Sequence, residues 1–487
     1  MIPDLTAKLS PEERVRADTA QESISPDDGK YRSAAKNLRL IISPRAEWMA
    51  FVEVQRALLA TRIEFGQAEA RHLEELDAAI GKVDPLNMEK LEADPAIHHD
   101  QLAVIAELSR YLSPETEALL HPGTTSYDVV DTARAFLFKR AWYDELRPEI
   151  ARAISKLCSL SERSVDVIQV GRTHLQNTSP VTFGLYLSVY AARLAERLSR
   201  CDADFSNLRG KVSGIVGTGA SIDMVIGEGK SLEFETAVLA KLGLTPTYAA
   251  TQITPKEAIA DVCHDLVTLD LVLANFANDM RLLYSSAIKE VTSRDNAERL
   301  GGSSADAMKD NPIDWENIAG KADVIQSSMS VAYAMMMSDL QRDLRNSVQG
   351  RYQPQGIIAE VLESFIRANK ALGQLSLNED RLEDNLLPVR KYPSEAMVAI
   401  LRGTGFIHST YGVGHAFVNE MGKRAAKQKR PLLEVALEDA EFSEAFRELP
   451  DNKQRILRGD LELYLGSAAA RTQLNVDYAR KIIGSLP

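Results

Sequence analysis

A histidine in a polar segment is the first side chain of this sequence suited to acid–base chemistry. His174 lies in residues 171–180, where glycine and polar residues dominate between two apolar stretches. A histidine changes charge near neutral pH, so His174 is a candidate general acid or base. A solvated or structural loop histidine has the same local pattern, and both interpretations stay open at this point.

A second segment, residues 301–312, combines small residues with hydrogen-bond donors. Ser303 and Ser304 follow two glycines, Lys309 and Asn311 come shortly after them, and a proline then starts a new helical stretch. A loop of this composition suits closure over an anionic substrate. A flexible connector between two helices has the same composition.

A third segment begins at His121 and precedes the first long apolar stretch. Thr125 and Ser126 lie where the backbone N–H groups of a helix start and the helix dipole favour an anion. The same residues are typical of an N-cap. The pair His99 and Asp100 lies upstream, at a predicted helix start.

A fourth segment, residues 341–351, contains two arginines on either side of a serine. Arg342, Ser347 and Arg351 together are suited to hold a phosphate. A charge-rich run is also typical of a solvated helix face.

Composition limits the class of protein. Of the 487 residues, 45% are hydrophobic and 26% charged, and the formal charge of −12 argues against a dedicated nucleic-acid binder. Cys158, Cys201 and Cys263 fit no metal-ligand spacing and indicate thiols in a reducing compartment. No metal or dinucleotide motif occurs, so no metal and no cofactor is expected. Without a signal peptide or a membrane-spanning apolar run, a cytoplasmic protein is predicted.

The elements that must position these side chains are predicted to be long helices. Prolines are sparse, and apolar residues recur at spacings of three and four through residues 129–157 and 259–283. These helices are apolar on more than one face, which predicts an all-α fold with a buried central bundle. Residues 212–216 are the best candidate for a short extended piece, although the glycines around them favour a loop. The predicted parts are a disordered arm (1–24), an N-terminal helical domain (25–127), the central bundle (128–370) and a C-terminal helical domain (371–487).

Taken together, the segments resemble the fumarase/aspartase superfamily, and within it the adenylosuccinate lyases, from about Ser25 to the C-terminus. The superfamily loop G-S-S-x-M-P-x-K-x-N-P has the same length as residues 302–312. Further matches are S-P-x-D-G-R-Y at residues 25–31, H-D at 99–100, T-S-x-D at 125–128, G-R-T-H at 171–174, T-Q-I-x-P at 251–255, N-P-I-D-F-E-N at 311–317 and Q-R-D-L at 341–344.

The resemblance implies an anti β-elimination that releases fumarate from adenylosuccinate, giving AMP, and from the succinyl-carboxamide ribotide SAICAR, giving AICAR. Ser304 would be the base. His174, oriented by Glu316, would protonate the departing nitrogen, and Lys309 and Asn311 would hold the charge of the aci-carboxylate. The other implied substrate contacts are Lys30, Tyr31, His99, Asp100, His121, Thr125, Ser126, Thr173, Gln252, Ser303, Arg342, Ser347 and Arg351.

The resemblance also implies a homotetramer in which segments of different subunits complete each site. The signature loop departs from the family pattern at Asp306, Ala307, Met308 and Asp310, and Lys30 replaces an arginine. Each added carboxylate near a dianionic substrate would repel it by roughly 1 kcal/mol if solvated. Two alternatives therefore stay open: a lyase that releases fumarate from a different succinyl adduct, and a nucleotide-binding relative without catalysis.

Overall fold

The part of the chain that the computed structural model describes is mainly helical, which confirms the predicted all-α fold. It comprises residues 29, 36–294, 305–306 and 309–485. The predicted arm at residues 1–24 lies outside these ranges. So do the predicted site residues Lys30, Tyr31, Ser303 and Ser304.

The elements follow one another in chain order. The first part of the chain contains α1 Arg39–Ile42, α2 Pro44–Glu64, α3 Ala70–Ile80, α4 Pro85–Ala93, α5 Asp100–Ser109, α6 Pro114–Glu117, α7 Ser126–Ala141, a π-helical turn Trp142–Leu146, α8 Arg147–Arg163, β1 Ile168–Thr173, β2 Gln176–Thr182, α9 Phe183–Ser206, α10 Ala220–Ile226, α11 Ser231–Lys241 and α12 Glu257–Tyr284. The second part contains β3 Val291–Ser293, α13 Ile313–Ser327, α14 Met329–Ala334, α15 Arg345–Gln349, α16 Gln355–Gln374, β4 Leu375–Leu377, α17 Glu379–Lys391, α18 Ser394–Gly403, β5 Ile407–His408, β6 Gly412–Val413, α19 Gly414–Gln428, α20 Leu432–Ala436, α21 Ala440–Glu448, α22 Asp451–Leu457, a 3₁₀ turn Leu461–Tyr464 and α23 Ala468–Gly484.

Short polar residues and prolines set several helix starts. Ser43 caps α2 through a 3.3 Å hydrogen bond from the Ala46 N–H, and Pro44 occupies the first helical position. Asp84 and Pro85 start α4 in the same way. The Ser43 and Asp84 side chains accept from backbone N–H groups that have no partner within the helix. A proline at the first helical position has no N–H group that would need a partner.

The two predicted long helices are present. α7 continues through the π-helical turn into α8, and α12 spans 28 residues. Much of α7 is buried, including polar Asp128, Asp131 and Thr132 as well as its apolar residues. Packing on several sides therefore stabilises α7 more than the burial of a single apolar stripe would.

Within the described ranges, three antiparallel strand pairs, β1–β2, β3–β4 and β5–β6, accompany the helices. The polar segment 171–180, expected to be a loop, instead forms most of the β1–β2 hairpin. The reason is an apolar patch: Val170 is buried with Leu386, Val389 and Leu461 in one cluster. Residues 212–216, the candidate extended piece, form no strand within the described chain.

The chain divides into two compact units, and each contains three stretches of sequence. The first unit comprises Met1–Ala151, Arg197–Leu271 and Gly320–Arg367, and the second comprises Arg152–Glu196, Val272–Ala319 and Ala368–Pro487. The predicted division into a terminal arm and three helical domains stays a prediction. Across the described ranges, no helix has both the length and the apolar character that crossing a membrane requires.

Each unit has aromatic packing of its own. In the first unit the rings of Trp142 and Phe205 stack with centroids 4.6 Å apart. In the second, Phe417 and Phe442 stack at 5.3 Å within a buried cluster of the C-terminal helices. Such pairs contribute to stability beyond the apolar area that they bury.

Candidate active site

The start of α7 in the first unit is fixed by a capping box. Thr125 is the N-cap, and its backbone N–H donates to the Asp128 carboxylate at 2.8 Å. The Thr125 side chain accepts from the Asp128 backbone N–H in return. The N-cap interpretation of Thr125 is therefore confirmed, and anion binding at this helix start stays a prediction.

Asp128 also anchors a second part of the chain to this helix start. Its carboxylate accepts from the Lys211 ammonium and from the backbone N–H groups of Ser213 (3.0 Å) and Gly214 (3.1 Å). The side chains of Asp128 and Lys211 are both fully buried. The T-S-x-D pattern signals the capping box, but no local signal in the sequence points to Lys211.

His99 and Ser126, 27 residues apart in sequence, meet at this helix start. The His99 Nε2 lies 3.1 Å from the Ser126 hydroxyl, and its Nδ1 lies 3.3 Å from the Asp100 carboxylate. With Nδ1–H directed to Asp100, Nε2 accepts the hydroxyl proton of Ser126. The arrangement orients the imidazole and can pass a proton to or from a bound substrate.

His121 lies in the turn before Thr125 and is largely withdrawn from water. Burial lowers its pKa, which favours a neutral imidazole at neutral pH. The His121 Nδ1 lies 3.0 Å from the amide nitrogen of Gln55. Arg62 donates to the Pro122 carbonyl at 2.6 Å and so holds the same turn. Sequence reasoning missed Gln55 and Arg62, which lie on α2.

Gln252 and Arg342, predicted substrate contacts from distant segments, are in direct contact. An Arg342 N–H donates to the Gln252 side-chain oxygen at 3.1 Å. The Arg342 guanidinium also lies over the Tyr127 ring, 3.7 Å from its centroid. Since Tyr127 follows Ser126 on α7, these residues belong to the same neighbourhood as the His99–Ser126 contact.

Ser347 lies on α15, and Arg351 lies in the turn that follows it. Arg351 is exposed. Burial and the charge of Asp100 raise the pKa of Glu92, while the Arg351 charge opposes this rise. Arg351 and Asp100 therefore both act electrostatically on Glu92. Phosphate binding by Ser347 and Arg351 stays a prediction.

In the second unit, His174 lies at the tip of the β1–β2 hairpin and is exposed. The hairpin closes through His174 and Leu175, which have φ angles of 52° and 58°, between the paired residues Thr173 and Gln176. Two consecutive left-handed residues are typical of a type I′ turn. Leucine rarely adopts this conformation, so the surrounding hairpin must hold the turn in place.

An ion pair with a fully buried carboxylate holds β1 next to the turn of this hairpin. Two N–H groups of Arg172 donate to the two carboxylate oxygens of Glu290, at 2.5 Å and 3.0 Å. Asn385 adds a hydrogen bond to Glu290 at 2.8 Å. Position 171 favours glycine, because the Cβ atom of any other residue would lie 2.5 Å from the Ser179 carbonyl oxygen and clash with it.

The described part of the signature loop leads directly into α13. Lys309 and Glu316 are exposed, and Asn311 lies between them beside a small cavity. Asp310, one of the added carboxylates, accepts a hydrogen bond from the Tyr284 hydroxyl. Among the described residues no hydrogen bond joins Glu316 to His174, so the orienting role of Glu316 stays a prediction.

Known proteins share this fold over nearly the whole chain. Residues 43–327 match the sequence model of the family described as Lyase. A protein named adenylosuccinate lyase from Archaeoglobus fulgidus is 28% identical over 464 residues, covering 93% of this chain and 98% of the relative. The structure of a fumarate lyase from Mesorhizobium sp. BNC1 matches at 23% identity with a TM-score of 0.77, covering 91% of this chain and 97% of that one.

A second solved structure, a 3-carboxy-cis,cis-muconate lactonizing enzyme from Pseudomonas putida, matches at 21% identity with a TM-score of 0.79. The match covers 92% of this chain and 98% of that chain. At these identities the two structures establish the shared fold alone.

Proposed function

This chain belongs to the Lyase family, and on that premise we propose that it cleaves adenylosuccinate to fumarate and AMP by anti β-elimination. The same chemistry would convert SAICAR to fumarate and AICAR. A relative named adenylosuccinate lyase that aligns over 98% of its own length supports this choice of substrate.

One structural observation carries the proposal. Residues from four separate segments meet at the start of α7, where His99 contacts Ser126 and Arg342 bridges Tyr127 and Gln252. These are segments that the resemblance assigns to substrate binding. A protein that used this surface only for packing would have no need for a half-exposed imidazole there, oriented by a carboxylate.

The proposed reaction begins with removal of a proton from the substrate carbon next to a carboxylate. Ser304 would take this proton as an alkoxide, which its surroundings must stabilise because a serine hydroxyl is a poor base. The electron pair left on carbon moves into the neighbouring carboxylate, and Lys309 and Asn311 would stabilise that charge.

Cleavage of the carbon–nitrogen bond completes the elimination. The electron pair left on the deprotonated carbon forms the double bond of fumarate. The nitrogen leaves with the electrons of the broken carbon–nitrogen bond. His174 would donate a proton to this nitrogen, and Glu316 would stabilise the charged imidazole before the transfer. The hairpin fixed by Arg172 and Glu290 would hold His174 in position.

We propose further that the protein is cytoplasmic and forms a homotetramer in which different copies complete each site. The tetramer is supported by exposed apolar side chains on and beside α14, among them Met337 and Leu340, which are 64% and 89% exposed. Light scattering tests this assembly, and a monomeric mass in solution would contradict it.

The function is tested by incubating the full-length protein with adenylosuccinate and following fumarate release. We expect turnover by the wild-type protein and none above background by Ser304→Ala. Tight nucleotide binding without turnover would instead support the non-catalytic alternative.

A second candidate substrate is a different succinyl adduct. The exposed carboxylates of Asp306 and Asp310 favour it, because they follow the proposed base and would repel a dianionic nucleotide. Fumarate release from succinyl-amines that lack a phosphate, but not from adenylosuccinate, would identify this alternative.

A further inference from the structure

A cavity of about 440 Å³ in the first unit lies beside the proposed substrate site and shares Tyr127 with it, while its other walls are different. Tyr127, whose ring carries the Arg342 guanidinium, is one of its lining residues. Phe138, Leu208 and Met335 add buried apolar surface to the wall. This volume falls in the range of small-molecule sites, which are mostly apolar with a few polar groups.

Two amide side chains in the wall have unused hydrogen-bonding capacity. Asn346 is 3% exposed, and both the nitrogen and the oxygen of its side chain lack a hydrogen-bond partner in the described chain. The side-chain oxygen of Gln353, which is 7% exposed, also lacks one. A buried polar group without a partner costs about 1–3 kcal/mol, so such groups in a folded protein usually have one.

Two of the three cations that line the cavity are paired with carboxylates. The Lys256 ammonium lies 2.6 Å from the Asp131 carboxylate, and Arg134 lies 2.6 Å from Glu47. A second anion would compete with these carboxylates, and the third cation, Arg209, already donates to the Thr245 hydroxyl and the Pro246 carbonyl. The wall is therefore poorly suited to a phosphate. The unused groups in the wall are neutral amides, which favour a neutral ligand.

We propose that this cavity binds a neutral planar ring that carries a hydrogen-bond donor next to an acceptor, as adenine does. A carboxamide such as that of Asn346 pairs with this kind of edge through two hydrogen bonds, its oxygen accepting and its nitrogen donating. Gln353 supplies a further acceptor, and the rings of Tyr127 and Phe138 supply stacking surface.

The ligand would affect the proposed phosphate-binding residues, Ser347 and Arg351, through α15. Asn346 and Ser347 are neighbours on this short helix, and Gly350, which also lines the cavity, precedes Arg351. Occupation of the cavity would restrict α15 and thereby the positions of Ser347 and Arg351. The site is thus an effector pocket, separate from the residues proposed for elimination.

Calorimetry with adenine and the full-length protein tests the proposal without any turnover. We expect saturable binding to the wild type, at least tenfold weaker binding to Asn346→Ala, and unchanged binding to Ser347→Ala. Purine, which lacks the exocyclic amino group, is expected to bind the wild type at least tenfold more weakly than adenine.

A cavity-filling variant covers the case in which Asn346→Ala disturbs α15. Ala135 lines the cavity from α7, and Ala135→Met places a larger side chain in the same space. We expect this variant to lose adenine binding while keeping the circular dichroism and the fumarate release of the wild type. The proposal is overturned if adenine fails to bind the wild type at millimolar concentration, or binds all variants equally.

Discussion

Arg172 and Glu290, 118 residues apart in sequence, form a bidentate ion pair next to the turn of the hairpin that presents His174. Glu290 is fully buried and immediately precedes β3, whereas Arg172 lies within β1. The pair therefore ties the strand that leads to His174 to a second strand pair of the same unit. This makes Arg172 a positioning residue for the proposed acid.

Arg172→Lys keeps the positive charge but loses the fork that matches both oxygens of Glu290. We expect kcat for fumarate release to fall by about tenfold to a hundredfold, with KM nearly unchanged, because His174 is misplaced while binding groups are not. Steady-state kinetics measure both constants. Asn177→Ala, opposite Arg172 on β2 and exposed, is the matched control and should change neither.

His174→Asn removes the proposed acid while tolerating the left-handed backbone at this position. We expect kcat to fall by at least about a hundredfold, as for removal of a general acid or base. Ser304→Ala should show a similar loss through the other proton transfer. Gln176→Ala, an exposed neighbour in the hairpin, serves as the control. Near-normal rates in the first two variants would show that the proposed roles are wrong.

Ser347→Ala and Arg351→Ala test phosphate recognition. We expect each to raise KM for adenylosuccinate at least about tenfold, which is the usual scale for losing a charge-assisted contact. Neither should alter KM for the corresponding nucleoside, which lacks the phosphate. Arg345→Ala is the control, because Arg345 on the same helix is exposed and paired with Asp343. Equal effects on both substrates would contradict a phosphate role.

Asp270 predicts a dependence of stability on pH. It is fully buried on α12, and burial raises its pKa from 3.8 to about 7. The folded protein therefore binds this proton more tightly than the unfolded chain does. The contribution of Asp270 to stability is greatest below about pH 4 and is lost as pH rises towards 7.

Asp270→Asn removes this titration in a side chain of nearly the same shape. At pH 8 we expect a gain in the free energy of unfolding on the order of 2 kcal/mol, and little change at pH 4. Urea unfolding at a fixed protein concentration measures both values. Asp144→Asn, at an exposed ion pair with Arg140, should shift stability by less than about 0.5 kcal/mol at either pH.

The sequence predicts helices and helix starts well because their signals are local. The spacing of apolar residues indicates α7 and α12, and the pair His99–Asp100 is placed correctly at the start of α5. The β1–β2 hairpin was missed because its one buried stretch is short and its exposed residues have loop composition.

The contacts that complete the candidate site depend on distant pairings that no local pattern encodes. The resemblance assigns His99 and Ser126 to the site without predicting that they touch, whereas Lys211, Gln55 and Glu290 carry no motif. These residues are recognisable only once the fold brings a buried charge or amide beside its partner. Residues proposed to contact substrate can therefore be predicted from the sequence more readily than the buried residues that position them.

The buried pair of Asp128 and Lys211 has a consequence for how such a protein can change over evolution. The start of α7 is held by the Asp128 carboxylate and the Lys211 ammonium, whose side chains are both fully buried and so are not exposed to a ligand. The neighbouring side chains of Ser126 and His99 are more exposed and lie outside that pair. Mutations can therefore alter what is recognised at this surface while the scaffold beneath it persists, which leaves one fold free to acquire new chemistry.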